Sequence, residues 1–153
     1  MPPLSDAELI RRLLTATILG ALLGFERELG QKSAGLRTNI LIAVGSAVFT
    51  LMSYEMAGPG ADPGRIAAQI VTGIGFLGAG AIMHRGSGVH GLTTAATIWV
   101  NAAVGVAAGG GEYHLAVIAT GITLVVLQLL NPVERLIAKR SQHRERKSTD
   151  QGG

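Results

Sequence analysis

Acidic residues are missing from a long internal part of the chain, and cysteine is missing throughout. No Asp or Glu occurs between Asp62 and Glu112, where Arg65 and Arg85 are the only side chains expected to be ionised at neutral pH. A soluble domain needs a charged outer surface, so this interval does not suit water. The lack of cysteine excludes disulfides, thiolate metal sites and cysteine nucleophiles, and it says nothing about the redox compartment.

Charged and aromatic residues are scarce in the whole chain of 153 residues. They make up 15% and 4% of it, whereas 48% is hydrophobic. Several apolar runs approach the roughly 20 residues that cross a bilayer as a helix. They cover residues 9–25, 38–56, 66–83, 92–108 and 115–130. We therefore expect an all-α membrane protein, a compact bundle of about five transmembrane helices.

The first apolar run has the weakest claim to span the bilayer. Arg11 and Arg12 stand near its beginning and must reach the interface, so this helix either spans or lies partly among the headgroups. A cleaved signal peptide is excluded, because Asp6 and Glu8 precede the arginines and no small-residue cleavage site leads into a soluble chain.

The distribution of Lys and Arg predicts the orientation. With the N-terminus outside, only Arg11, Arg12 and Arg65 face outward, and every other Lys and Arg faces the cytoplasm. We divide the chain into a transmembrane domain, residues 1–134, and a basic cytoplasmic tail, residues 135–153, which we expect to be partly disordered. The tail lacks aromatic residues for base stacking, so anionic lipid headgroups explain it better than nucleic acid.

Glycines recur at helical spacing in the spans. Gly73, Gly75 and Gly78 match a dinucleotide-binding pattern, but no acidic residue follows at the distance that motif requires. In lipid, residues without a bulky side chain let helices approach closely. We predict helix packing at Gly20, Gly24, Gly73, Gly75, Gly78 and Gly80, with Ala43 and Ala47, and Ala103 and Ala107, acting alike in the second and fourth spans.

Polar side chains inside or beside the spans are candidates for function. The amides of Gln69 and Asn101 need partners in lipid, either as links between helices or as part of a site. Asp62 precedes the third span, where it can cap the helix, and Arg65 follows one turn later. Salt bridges between Glu26, Arg27, Glu28 and Arg37 across the first helical hairpin are the structural alternative to a site. No nucleophile with a base and no metal-ligand cluster is recognisable, so we expect neither an enzyme nor a cofactor.

Three ordered strings resemble the MgtC/SapB family of bacterial inner-membrane proteins. They are GFERELGQKSAGLRTNILIAVGS, DPGRIAAQIVTGIGFLGAGAIM and GLTTAATIWVNAAVG, and the resemblance covers roughly residues 13–130. It implies a multi-pass inner-membrane protein tied to growth at low magnesium and, in some members, to virulence and to inhibition of the rotary ATP synthase. The polar positions that it marks are Glu26, Arg27, Arg37, Thr38, Asp62, Arg65, Gln69, Thr94 and Asn101.

Virulence-linked members of that family continue into a soluble domain resembling ACT folds. The present sequence ends after the basic tail, so we expect a short, SapB-like member. Two functions remain open. The first is a regulator that packs against another membrane complex, such as the ATP synthase, or against a second copy of itself as a homo-oligomer. The alternative is a small transporter or binding protein for magnesium or another ion, with Glu26 and Asp62 as acidic stations.

Overall fold

The computed structural model describes residues 4–57, 62, 64–85 and 88–130, apart from the side chains of Ile66, His84 and Arg85. The predicted domain boundary and the basic tail lie outside these residues. The described part confirms the predicted all-α bundle of about five helices. They are α1 (Asp6–Leu29), α2 (Leu36–Met56), α3 (Gly64–Gly80), α4 (Leu92–Gly110) and α5 (Tyr113–Leu130).

The helices differ in how well they suit a bilayer. By length and composition α2, α4 and α5 can each cross a membrane, and the apolar part of α3, Ala67–Gly80, is shorter. α1 is the longest helix, but acidic and basic residues occupy both of its ends. Large apolar side chains point outward all around the bundle, and Phe76 on α3 is 82% exposed. An apolar exterior of this kind is that of a membrane protein.

One core cluster is formed by α1, α2 and α4 with Ala116 of α5, and its helices meet along small residues. Ala16, Ala43, Ala47 and Ala108 have no exposed surface, and they pack with Leu19 and Val104 in one cluster. A Cβ added at Gly20 would lie 2.8 Å from the Ala43 Cβ, and one at Gly24 would lie 2.8 Å from the Leu36 Cα. At both positions α1 approaches α2 more closely than a side chain permits.

α4 meets α2 through glycines, and of the predicted pair Ala107 packs partly buried against the core cluster, whereas the prediction for Ala103 was wrong. A Cβ at Gly105 would overlap the Ala43 carbonyl oxygen, and one at Gly109 would lie 2.6 Å from the Ala47 oxygen. Ala103, by contrast, is exposed. The close backbone contact with α2 is therefore made by Gly105 and Gly109, each two positions after a residue of the predicted pair. We call Gly20, Ala43, Ala47, Gly105 and Gly109 the seam.

α3 is joined to α4 by a short antiparallel hairpin. Strands β1 (Met83–Arg85) and β2 (Gly88–His90) pair Met83 with His90 and His84 with Val89. Gly91 follows with a positive φ of 91°, and a Cβ there would overlap the Ala81 carbonyl oxygen. Only glycine fits both conditions, so this residue fixes how α4 begins after the hairpin.

The glycines of α3 have much more space than those of the seam. Among the described residues, a Cβ added at Gly73, Gly75 or Gly80 would meet nothing within 4 Å, and one at Gly78 would make ordinary contacts with Ala95 at 3.7 and 3.8 Å. Within that part of the chain, Gly73, Gly75 and Gly80 thus do not bring helices together as expected.

Candidate functional site

Two buried amides link α2 to α4. The Asn101 Nδ2 donates to the Asn39 carbonyl oxygen at 2.7 Å and to the Asn39 Oδ1 at 3.1 Å, and both residues have no exposed surface. Asn39 donates in turn to the carbonyl oxygens of Ala34 and Gly35, at 2.8 and 2.9 Å. The bonds tie the α1–α2 loop to α2 and α2 to α4. The Asn101 Oδ1 is buried and has no partner in the described part of the chain.

A buried guanidinium lies near the C-terminal end of α1. Arg27 is 2% exposed, and its Nη1 lies 3.4 Å from the Glu26 Oε2. Its Nε is buried without an acceptor among the described residues. The position follows from helical periodicity, because Arg27 continues the buried face of Leu19, Gly20, Leu23 and Gly24. A buried cation with one long contact is only partly compensated, which marks it as a functional candidate.

The neighbouring Glu28 caps α2. Its Oε2 accepts from the Leu36 backbone N at 3.0 Å, where a carboxylate suits the positive end of the helix dipole. The N-cap residue itself, Gly35, has no side chain that could accept this hydrogen bond. In the described part of the chain Arg37 is exposed and has no ion pair, so the salt bridges considered across this hairpin are replaced by a cap.

Asp62 lies at the start of α3, as a capping role requires. Its Oδ1 accepts from the Gly64 backbone N at 2.7 Å, and its carbonyl oxygen accepts from the Arg65 backbone N at 3.3 Å. Both side chains are exposed, and in the described ranges they form no ion pair with each other. The geometry supports the cap, while a role of the pair in an outer polar site stays a prediction.

A groove of about 620 Å³ separates α2 from α3. Its walls are mainly apolar, and Thr38 and Gln69 are polar residues at its two ends. It is lined by Thr38, Leu41, Ile42, Gly45, Ser46, Phe49, Gln69, Ile70, Gly73, Ile74 and Leu77. Gly45 and Gly73 leave it open, since a Cβ at either would meet nothing within 4 Å. The groove thus contains two of the predicted site residues.

An ionic cluster joins the first turns of α1 to α4 and α5. Glu8 contacts Arg11, accepts from the Arg12 Nε at 2.9 Å and accepts from the Tyr113 hydroxyl at 2.7 Å. The Arg12 Nη1 also donates to the Gly109 carbonyl oxygen at 2.8 Å, near the C-terminus of α4. The bonds from Arg12 and then Tyr113 lower the pKa of Glu8 to about 2. Arg11 and Arg12 thus link the start of α1 to α5 and α4, in addition to lying near the membrane–water interface.

The predicted site residues do not form one site. Glu26 and Arg27 are adjacent, Asn101 bonds to Asn39, and Thr38 and Gln69 share the groove. Thr94 is buried at the beginning of α4. Asp62 and Arg65 lie exposed at the start of α3. No group of three or more His, Asp or Glu able to hold a metal occurs in the described ranges.

Sequence reasoning missed Asn39 and the Glu8 cluster. Asn39 is an amide inside the string GLRTNILI, and the argument applied to Gln69 and Asn101 applies to it equally. The Glu8 cluster joins residues far apart in the sequence, and Tyr113 follows the last glycine of the α4–α5 loop without any local motif. Only the three-dimensional structure could reveal it.

Comparison with known proteins agrees with this arrangement. A model of the MgtC family matches residues 13–136, which include the seam, the Asn39–Asn101 link and the groove. The chain belongs to the MgtC family. Among its MgtC-family relatives, "Putative magnesium transporter YhiD" of Escherichia coli K12 is 44% identical over 144 residues, covering 90% of this chain and 67% of that protein.

Proteins named MgtC are also similar. The one from Salmonella typhimurium LT2 is 53% identical over 128 residues, covering 84% of this chain and 54% of that protein. The one from Brucella abortus is 48% identical over 132 residues, covering 86% and 55% respectively. The chain thus spans just over half the length of these MgtC proteins. No solved structure matches this chain.

Proposed function

We propose that this chain is a non-enzymatic membrane protein that regulates another membrane complex during adaptation to low magnesium, with the ATP synthase as the candidate partner. The observation that supports a regulator over a transporter is the seam. At Gly105 and Gly109, α4 lies against the α2 backbone so closely that not even a methyl group fits. Between α2 and α4 there is therefore no room for a hydrated ion, and Mg²⁺ loses its water reluctantly.

The exterior of the bundle supports the same proposal. Phe76 on α3 and Trp99 on α4 are large, apolar and more than half exposed. Such side chains face lipid or another membrane protein, and contacts between membrane helices depend on packing of this kind. The link to magnesium rests on the similarity to the Escherichia coli relative "Putative magnesium transporter YhiD".

Site-specific photocrosslinking in living cells tests the regulator. A photoreactive residue is placed at Phe76, at Trp99 or at Val125 on α5, in cells grown at low magnesium. We expect a crosslink to one membrane complex from a single face of the bundle. If no position gives a crosslinked protein, or if all three give the same mixture, the proposal is contradicted.

A magnesium transporter is the second candidate function. The buried Arg27 and the half-buried Glu26 favour it, because incompletely paired charges inside a bundle often mark an ion path. Purified protein in liposomes loaded with a Mg²⁺ indicator separates the two functions. The regulator predicts no flux above that of empty vesicles. A saturable flux that Glu26→Gln or Asp62→Asn abolishes would establish the transporter instead.

We further propose a multi-pass protein of the cytoplasmic membrane with the C-terminus inside. The argument is the distribution of Lys and Arg, because Lys32 lies in the α1–α2 loop and Arg37 follows at the start of α2. Cysteines introduced at the exposed positions Ser33 and Glu112 test it in intact cells. An impermeant thiol reagent should label Glu112→Cys and not Ser33→Cys, and the reverse labelling would invert the topology.

A further inference from the structure

The groove between α2 and α3 has the shape and the charge of a lipid site. We propose that it binds an acyl chain of an anionic phospholipid, with the headgroup phosphate at Arg37. This inference does not depend on the proposed function, since a regulator or a transporter could equally carry such a lipid. It rests on the length, the apolar lining and the charged end of the groove.

The length of the groove matches one leaflet of a bilayer. From Thr38 to Phe49, at about 1.5 Å per residue, α2 rises roughly 16 Å along the groove. The hydrocarbon core of a bilayer is about 30 Å thick, so one leaflet contributes about 15 Å. An acyl chain that enters beside Thr38 would therefore fill the apolar lining and end near Phe49. Gln69 lies toward that far end, where the apolar lining stops.

The lining of the groove suits a hydrocarbon chain. Apart from Thr38, Ser46 and Gln69 it consists of apolar side chains and glycines. A helix of a second copy is the alternative occupant, and the dimer mass in the experiment below distinguishes it from a lipid. The absent Cβ atoms of Gly45 and Gly73 leave room for a smooth, flexible chain.

A cation stands at the end of the groove where the headgroup would lie. Arg37 precedes the groove residue Leu41 by four positions, so both occupy the same face of α2. Its side chain is exposed, and within the described residues no carboxylate pairs with it. The Thr38 hydroxyl lies beside it at the mouth of the groove. A phosphate accepts hydrogen bonds from both groups, and guanidinium suits phosphate geometry well.

Native mass spectrometry of the full chain in mild detergent tests the proposal. Phosphatidylglycerol and phosphatidylcholine with identical acyl chains are the probes. Gly73→Leu fills the groove, and Gly75→Leu, two residues away on α3 and outside the groove, is the matched control. We expect Gly73→Leu to lower retained phosphatidylglycerol about tenfold, because the added side chain overpacks the site, whereas Gly75→Leu should leave it unchanged. Gly45→Leu should repeat the effect from α2.

Arg37→Gln tests the headgroup contact, with Arg65→Gln as its control. One cation near an anionic headgroup gives about a fivefold preference, so Arg37→Gln should remove a preference of that size for phosphatidylglycerol over phosphatidylcholine. Arg65→Gln should keep it. The basic tail adds the same background in every variant, so only differences count. Equal lipid retention in Gly73→Leu and Gly75→Leu would overturn the proposal, as would a dimer mass that only the groove variants lose.

Discussion

Glycines occur both where α2 meets α4 and where α2 faces α3, but the helices are close together at the first place and leave space at the second. In the seam, Gly105 and Gly109 bring two backbones together until no Cβ fits. Along α3, Gly73 and Gly75 leave open space instead. Both regions are rich in glycine, although Gly105 and Gly109 are four residues apart and Gly73 and Gly75 only two. The comparison shows that a small residue permits close approach without causing it.

The amides of Asn101 and Gln69 differ as the two contacts do, since one lies in a tight contact and the other faces open space. Asn101 has no exposed surface and bonds to Asn39 in the core, whereas Gln69 is exposed and faces the groove. An amide inside a tight contact links two helices by hydrogen bonds, whereas Gln69 makes no such link within the described residues. The core and the α3 side should therefore respond very differently to substitution.

The largest effect is expected at the seam. Gly105→Leu would place a side chain against the Ala43 backbone, at a cost of about 3 kcal/mol or more, because backbone cannot move aside as a side chain can. Size-exclusion chromatography and thermal unfolding in mild detergent should show loss of the folded protein. The matched control is Gly121→Leu on α5, where a Cβ meets nothing within 4 Å. Equal stability of the two variants would refute the contrast.

An intermediate effect is expected for the buried amide. Asn101→Leu keeps a similar volume but removes two hydrogen bonds to Asn39, so we expect a loss of about 1–3 kcal/mol in the free energy of unfolding. Gln69→Leu should be neutral or slightly stabilising, because it removes an amide exposed at the groove. Reversible unfolding in a denaturing detergent measures both. If Gln69→Leu costs more than Asn101→Leu, the assignment of core and periphery is wrong.

A smaller, pH-dependent effect is expected at the ionic cluster, whose Glu8 lies before the apolar run of α1. Because the folded-state pKa of Glu8 is lowered to about 2, its contribution to stability is present above the unfolded value of about 4.3. It is lost as the pH falls toward 2. The difference in thermal midpoint between the wild type and Glu8→Gln should therefore be constant near neutrality and shrink below about pH 4. Asp6→Asn is the control, and a difference that does not change with pH would contradict the cluster's role.

The smallest effect on stability is expected at Asp62. Asn keeps the acceptor for the Gly64 backbone N, so Asp62→Asn should change the free energy of unfolding by less than about 0.5 kcal/mol. Complementation of a deletion strain that grows poorly at low magnesium then shows whether Asp62 only caps α3 or also belongs to a functional site. A stable Asp62→Asn protein that fails to restore growth supports an outer polar site, whereas full restoration leaves only the cap.

Helix number and the membrane environment could be predicted because they follow from composition and run length. The seam was predicted in α1 and α2, where Gly20 and Ala43 lie in contact. It was misplaced in α4 because Ala103 and Gly105 are both small, and spacing alone does not say which face turns inward. Asn39 and Tyr113 were missed because their roles depend on neighbours that are distant in the sequence.

The seam has a consequence for how readily the bundle assembles. Glycine and alanine lose no side-chain rotamer freedom on burial, whereas a long side chain loses up to about 2 kcal/mol. In a bilayer, where the hydrophobic effect does not drive helices together, that saving matters more than in water. The contact of α1, α2 and α4 through Gly20, Ala43, Ala47, Gly105 and Gly109 is therefore nearly free of side-chain ordering cost. These three helices can then assemble before α3 docks, because the longer side chains of α3 lose rotamer freedom when they pack.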